Sequence, residues 1–64
     1  MPKQQVRIVI AEDEMIIAED LKDILENLGY EVVGIGISAK EALQLTGTHA
    51  PDLALLDIRL KGSM

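Results

Sequence analysis

The run Leu53-Ala54-Leu55-Leu56 ends on a single carboxylate, Asp57. A strand buried on both faces of a parallel sheet reads as a continuous apolar run, not an alternating one. A carboxylate at its carboxyl end stands where open α/β sheets bind ligands. Near the other end of the chain, Val6-Arg7-Ile8-Val9-Ile10-Ala11 runs into Glu12-Asp13 and repeats the pattern. If the two strands lie parallel and adjacent, three carboxylates meet at one edge of the sheet.

At 64 residues the chain has room for one small domain. It contains no cysteine, so disulfides and thiolate metal sites are excluded. No apolar run approaches the roughly 18 residues of a membrane span. Residues 1–5 are polar, lack the apolar core of a signal peptide and read as a flexible lead-in. The expected location is cytoplasmic. The net charge of -5 repels phosphate backbones, and a single tyrosine is the only aromatic side chain. Both argue against nucleic-acid binding through this segment.

Along the chain, residues 6–11 read as the first strand. Ile17, Ala18, Leu21, Ile24, Leu25 and Leu28 then recur at three- and four-residue spacings, the stripe of an amphipathic helix. Asp13 and Glu14 stand at its start, where the macrodipole favours negative charge, and Gly29 suits its C-terminal cap. Residues 30–37 read as a second strand interrupted by Gly34 and Gly36. Ser38-Ala39-Lys40-Glu41 has the form of a capping box. It opens a short helix expected to bury Ala39, Ala42, Leu43 and Thr46. Gly47-Thr48-His49-Ala50-Pro51 reads as a turn, with His49 on the surface, and residues 58–64 as a loop. The result is β-α-β-α-β. With right-handed crossovers and one helix on each face, the strand order is 2-1-3. That order sets the first and third strands side by side, with Glu12, Asp13 and Asp57 at one edge.

Three carboxylates in one cleft repel each other. A hard divalent cation resolves the conflict, because Mg²⁺ takes a few carboxylate oxygens together with water and phosphate. A neighbouring carboxylate can act as a nucleophile toward a phosphoryl group and form an acyl phosphate. Asp57, alone at the end of its strand, suits that role. Glu12 and Asp13, adjacent on a strand-to-helix turn, suit metal binding. The plainer reading is that such acids only cap the helices that follow.

These residues carry a resemblance. Ile8-Val9-Ile10-Ala11-Glu12-Asp13-Glu14 and Leu55-Leu56-Asp57-Ile58-Arg59-Leu60, with the break at Gly29-Tyr30 between them, resemble the receiver domain of two-component response regulators over residues 6–64. The resemblance implies a flavodoxin-like fold and a phosphorelay role. It implies that Asp57 accepts a phosphoryl group from a histidine kinase or phosphotransfer protein. It also implies a Mg²⁺ site of Asp13, Asp57 and the main-chain carbonyl of Arg59, with Glu12 acting through water. Glu12 is a common variant of the family's aspartate, and Lys61 replaces a frequent proline. Met15 and Ile16 fall where the family docks its kinase. Receiver domains are about twice as long. The fourth and fifth strands, with the switch hydroxyl and the phosphate-pairing lysine, are therefore expected to lie outside this chain. The module is not expected to be a conventional enzyme, since it takes part only in its own phosphorylation.

The rival readings are fewer. Gly34-Ile35-Gly36-Ile37-Ser38-Ala39 fits a dinucleotide fingerprint, but it follows the second strand where the first should carry it. Glycines that relieve crowding at a strand end are the simpler account. The non-signalling alternative is a truncated module that self-associates, or binds a partner, through the exposed edge of the third strand.

Overall fold

The computed structural model describes residues 5–57. The loop reading of 58–64, the Arg59 carbonyl and most of the N-terminal lead-in lie outside them. The elements are β1 (Arg7–Glu12), α1 (Met15–Asn27), β2 (Glu31–Gly36), α2 (Ala39–His49) and β3 (Leu53–Asp57). The three strands form a parallel sheet in the order β2-β1-β3. This is the order expected from the alternation of strands and helices, and it is the flavodoxin-like arrangement that the family resemblance implies. Among the described residues, no helix is long and apolar enough to cross a membrane.

β1 is the buried centre. Ile8, Val9, Ile10 and Ala11 are all at most 1% exposed, as a strand flanked on both edges and covered on both faces requires. Ile8 and Ile10 face α1 and pack with Ala18, Leu21, Leu25, Val32, Ile35 and Leu55. Burying one such isoleucine contributes roughly 1.5–3 kcal/mol. The α1 stripe is thus used at Ala18, Leu21 and Leu25, whereas Ile24 and Leu28 remain exposed.

The ends of α1 differ in how well they are closed. At its C-terminus, Gly29 N–H donates to the Glu26 carbonyl and Tyr30 N–H to the Leu25 carbonyl. This is a Schellman arrangement, and Gly29 takes the left-handed conformation it needs, with φ of 99°. β2 starts immediately afterwards, with Glu31 N–H donating to Val6 O at 2.9 Å. Tyr30 and Ile37, read as strand in the sequence, fall just outside it.

The β1–β2 register slips by one residue between Ile8 and Val9, so Val33 lies opposite no residue of β1. The bulge changes which face Gly34 occupies. Val32 and Ile35 pack toward α1, and Gly34 and Gly36 meet α2. A Cβ on Gly36 would stand 2.9 Å from the Ala42 main-chain nitrogen, and one on Gly34 would stand 3.1 Å from a Leu45 methyl. The two glycines let α2 lie close on the sheet. That accounts for them as packing residues, in line with the simpler of the two readings.

α2 begins with the expected cap. Ser38 Oγ accepts the Glu41 N–H at 3.1 Å, and the Glu41 carboxylate accepts the Ile37 N–H at 2.9 Å. The glutamate reaches one residue further back than in the usual box. Two sequence expectations are corrected here. First, the helix does not stop before Gly47 but continues to His49. A glycine inside a helix costs only about 1 kcal/mol, and the real stop is Ala50, held left-handed at φ 47°, with Pro51 after it. His49 is therefore half-buried in the last helical turn, not in a surface turn. Second, the inward face is Ala42, Leu45 and His49. Leu43 is 74% exposed, and Ala39 and Thr46 are also exposed. The glycine-lined hollow draws in Leu45 and turns Leu43 outward. Ala39, Leu43 and Thr46, with the buried Ala42 at its floor, border an apolar groove of about 310 Å³ with Ala54 and Leu56 of β3.

Candidate functional site

The acids collect at the carboxyl edge of the sheet. β1 ends on Glu12 and β3 on Asp57, and the parallel register sets these two residues opposite each other. Adjacent strands lie about 4.8 Å apart, so the register alone makes Glu12 and Asp57 neighbours. Asp13 follows Glu12 on the turn into α1, partly buried, with its Oδ1 fully shielded from solvent.

Glu12 is 1% exposed, the one buried charged residue among the described residues. A buried carboxylate is tolerated only with hydrogen bonds to compensate its lost hydration. One of these is visible: Glu12 Oε2 accepts the Glu14 N–H at 2.9 Å. Glu14 is the N-cap residue of α1 by position, but its side chain makes no capping bond. Glu12 thus takes part in closing the start of α1. The interaction ties the end of β1 to the start of α1. It places the negative charge at the positive end of the helix.

Met15 and Ile16 open α1 directly beside these acids. Ile16 is 85% exposed and Met15 48% exposed. Two apolar side chains in the first turn, both turned to solvent, satisfy no packing need within the described residues.

The donor set named from the sequence is composed of oxygen atoms, three carboxylates and a carbonyl, which suits a hard cation such as Mg²⁺. The structure brings Glu12, Asp13 and the backbone of Asp57 to one edge. Among the described residues, no group of three acidic or histidine side chains is assembled for a metal ion. Arg59 lies outside the described residues.

At the opposite edge of the sheet, sequence reasoning missed a second polar cluster. Arg7 N–H donates to Asp52 Oδ2 at 2.9 Å, and Asp52 N–H donates to the Arg7 carbonyl at 2.8 Å. Arg7 Nη1 also donates to His49 O at 2.7 Å and Ala50 O at 3.3 Å. An arginine inside an apolar strand, and an aspartate just before another, were the available signals.

Residues 8–64 match the family described as Response regulator receiver domain. The transcriptional regulatory protein PdtaR of Mycobacterium tuberculosis is 43% identical over 54 residues, covering 84% of this chain and 26% of that protein. The phyllosphere-induced regulator PhyR of Methylorubrum extorquens is 41% identical over 54 residues, 83% of this chain and 20% of that protein. The polar-differentiation response regulator DivK of Brucella anthropi is 38% identical over 60 residues, 94% of this chain and 46% of that protein. The chain therefore spans less than half the length of each of these relatives. No solved structure matches it.

Proposed function

The chain belongs to the response regulator receiver family, and from that membership we propose that Asp57 accepts a phosphoryl group from a histidine kinase or phosphotransfer protein. Phosphorelay signalling is the general work of this family. The observation that carries the reading is the β1–β3 register, with Glu12 opposite Asp57 and Asp13 next in the chain. In the reaction a carboxylate oxygen of Asp57 forms a bond to phosphorus while the phosphorus–nitrogen bond of the donor's phosphohistidine breaks. The imidazole leaves and takes up a proton. Asp13, Asp57 and the Arg59 carbonyl would hold Mg²⁺, with Glu12 acting through water. A bound magnesium ion would offset the crowded negative charge of acids and phosphoryl oxygens. Glu12 has a further task in this scheme, holding the α1 N-terminus through the Glu14 amide. The module is its own substrate and turns over no other.

Acetyl phosphate with Mg²⁺ is the direct test. Labelling of the wild type that Asp57→Asn removes supports the assignment; equal labelling of both proteins refutes it. The exposed pair Met15 and Ile16 supports docking of the phosphodonor on the first turn of α1. Ile16→Asp is expected to slow transfer from a phosphohistidine protein and to leave labelling by acetyl phosphate unchanged. Equal transfer rates would rule that surface out. The second reading, association through the edge of β3 that no described strand pairs with, draws on Leu53 and Leu56, which are 53% and 66% exposed. A monomeric mass by sedimentation, with intact far-UV circular dichroism, would count against it.

A further inference from the structure

β3 has an unusual weakness. Register between strands is normally specified because a slip of one residue exchanges a buried apolar face for a polar one. In Leu53-Ala54-Leu55-Leu56 both faces are apolar. A slip would move Leu53 and Leu55 to the α2 side and Ala54 and Leu56 to the α1 side, so apolar groups would replace apolar groups. Hydrophobic burial alone discriminates poorly between the two arrangements. Their consequences at the carboxyl edge differ sharply. One step displaces Asp57 by about 3.3 Å and turns it to the other face of the sheet.

Register therefore needs another determinant, and the polar cluster at the opposite edge provides one. Arg7 and Asp52 are joined reciprocally, main-chain N–H to carboxylate at 2.9 Å and main-chain N–H to main-chain carbonyl at 2.8 Å. The carboxylate of Asp52 takes the Arg7 amide at the point where β3 joins the sheet, and Ile8 opposite Leu53 is the next pair. The Arg7 guanidinium in turn holds the carbonyls of His49 and Ala50 at the end of α2. It lies at the negative end of that helix dipole. α2, the connection through Pro51 and the start of β3 are thus all tied to one residue at the start of β1. A slipped β3 would leave the Asp52 carboxylate out of step with the Arg7 amide and forfeit that bond. A slipped strand still offers its main-chain N–H and carbonyl groups to β1, so the carboxylate bond is the part of the tie that distinguishes one register from another of similar packing.

We infer that Arg7 and Asp52 form a register lock that sets Asp57 opposite Glu12 from the far end of the sheet. Both are positioning residues, since neither touches the acidic edge. The consequence for chemistry rests on the reading of Asp57 as phosphoacceptor; the lock itself does not.

Two measurements on the 64-residue chain separate these points. NMR contacts between β1 and β3 report the register, and a Mg²⁺ titration followed on the amides of Glu12, Asp13 and Asp57 reports its consequence. Asp52→Asn keeps an oxygen for the Arg7 amide, and it is expected to retain both the single register and the wild-type affinity. Asp52→Ala is expected to double or shift the β1–β3 contacts. It should also weaken apparent Mg²⁺ binding, about tenfold if one molecule in ten keeps the observed register. Should the alanine variant be unfolded, Asp52→Glu, with its acceptor displaced by one methylene, takes its place with the same expected loss. Leu21→Ala is the control, since it removes packing from α1 and is expected to lower stability with register and affinity intact. The lock is overturned if Asp52→Ala keeps the wild-type contacts and affinity, or if Asp52→Asn loses them as alanine does. A wild type with the observed register and no response to Mg²⁺ would refute the metal reading, while the NMR contacts would still decide the lock.

Discussion

The two outer strands of this sheet solve the same problem in opposite ways. β2 is bulged at Val33, carries Glu31 at its start and has Gly34 and Gly36 filled by α2. β3 pairs without interruption over five residues and leaves Leu53 and Leu56 largely exposed. A bulged edge with a charged residue is a poor template for another strand, and a straight apolar one is a good template. Both strands ladder to β1 over five residue pairs. Beyond the ladder, β2 is seated by close packing of a helix on a face cleared of side chains, and β3 by Leu55 against the core and by the polar tie at Asp52. What is added to the ladder thus divides between helix packing on one side of the central strand and a polar tie on the other. The site falls on the side with the tie.

Substitutions can test that division. The largest stability effect is expected from Gly36→Ala. The added Cβ meets the Ala42 backbone nitrogen, which cannot turn aside, and displacing α2 should cost about 1–3 kcal/mol by urea denaturation. Ser38→Ala comes next, at about 1 kcal/mol, since it leaves the Glu41 amide without its cap at the start of the same helix. Gly34→Ala should be milder, within about 1 kcal/mol, because its neighbour is the mobile end of Leu45 and the unfolded chain also loses freedom. A larger loss at Gly34 than at Gly36 would reverse the account of how α2 is seated. Leu56→Lys on β3 should be smallest, shifting the unfolding free energy by no more than about 0.5 kcal/mol. If copies of the chain associate through β3, the same substitution lowers the mass seen by sedimentation. Association unchanged by it would move the contact away from this edge.

Much of the fold could be read directly. The two apolar runs ending in acid, Gly29, the Ser38–Glu41 cap and the α1 stripe at Ala18, Leu21 and Leu25 stand where periodicity and capping chemistry put them, while Ile24 and Leu28 of that stripe are exposed. Such signals are local, so neighbouring residues in the chain suffice to define them. The end of α2 was hidden because a glycine weakens a helix without forbidding it, and the left-handed Ala50 at the stop carries a carbonyl bound by Arg7, 43 positions earlier. The choice of Leu45 over Leu43 was hidden because it follows from a hollow on another element. In the candidate site, the identities of the acids were legible, but the use of Glu12 as a cap for α1 was not. That role depends on how tightly the strand-to-helix turn closes.

The sequence by itself determined the kind and order of the elements, and through right-handed crossovers it determined that Glu12 and Asp57 end on adjacent strands. Tertiary structure decided the register within that order. Pattern can tell an apolar face from a polar one, but it cannot choose between two apolar faces. At β2 a bulge turned Gly34 toward α2, and at β3 the Arg7–Asp52 tie stands where pattern is silent.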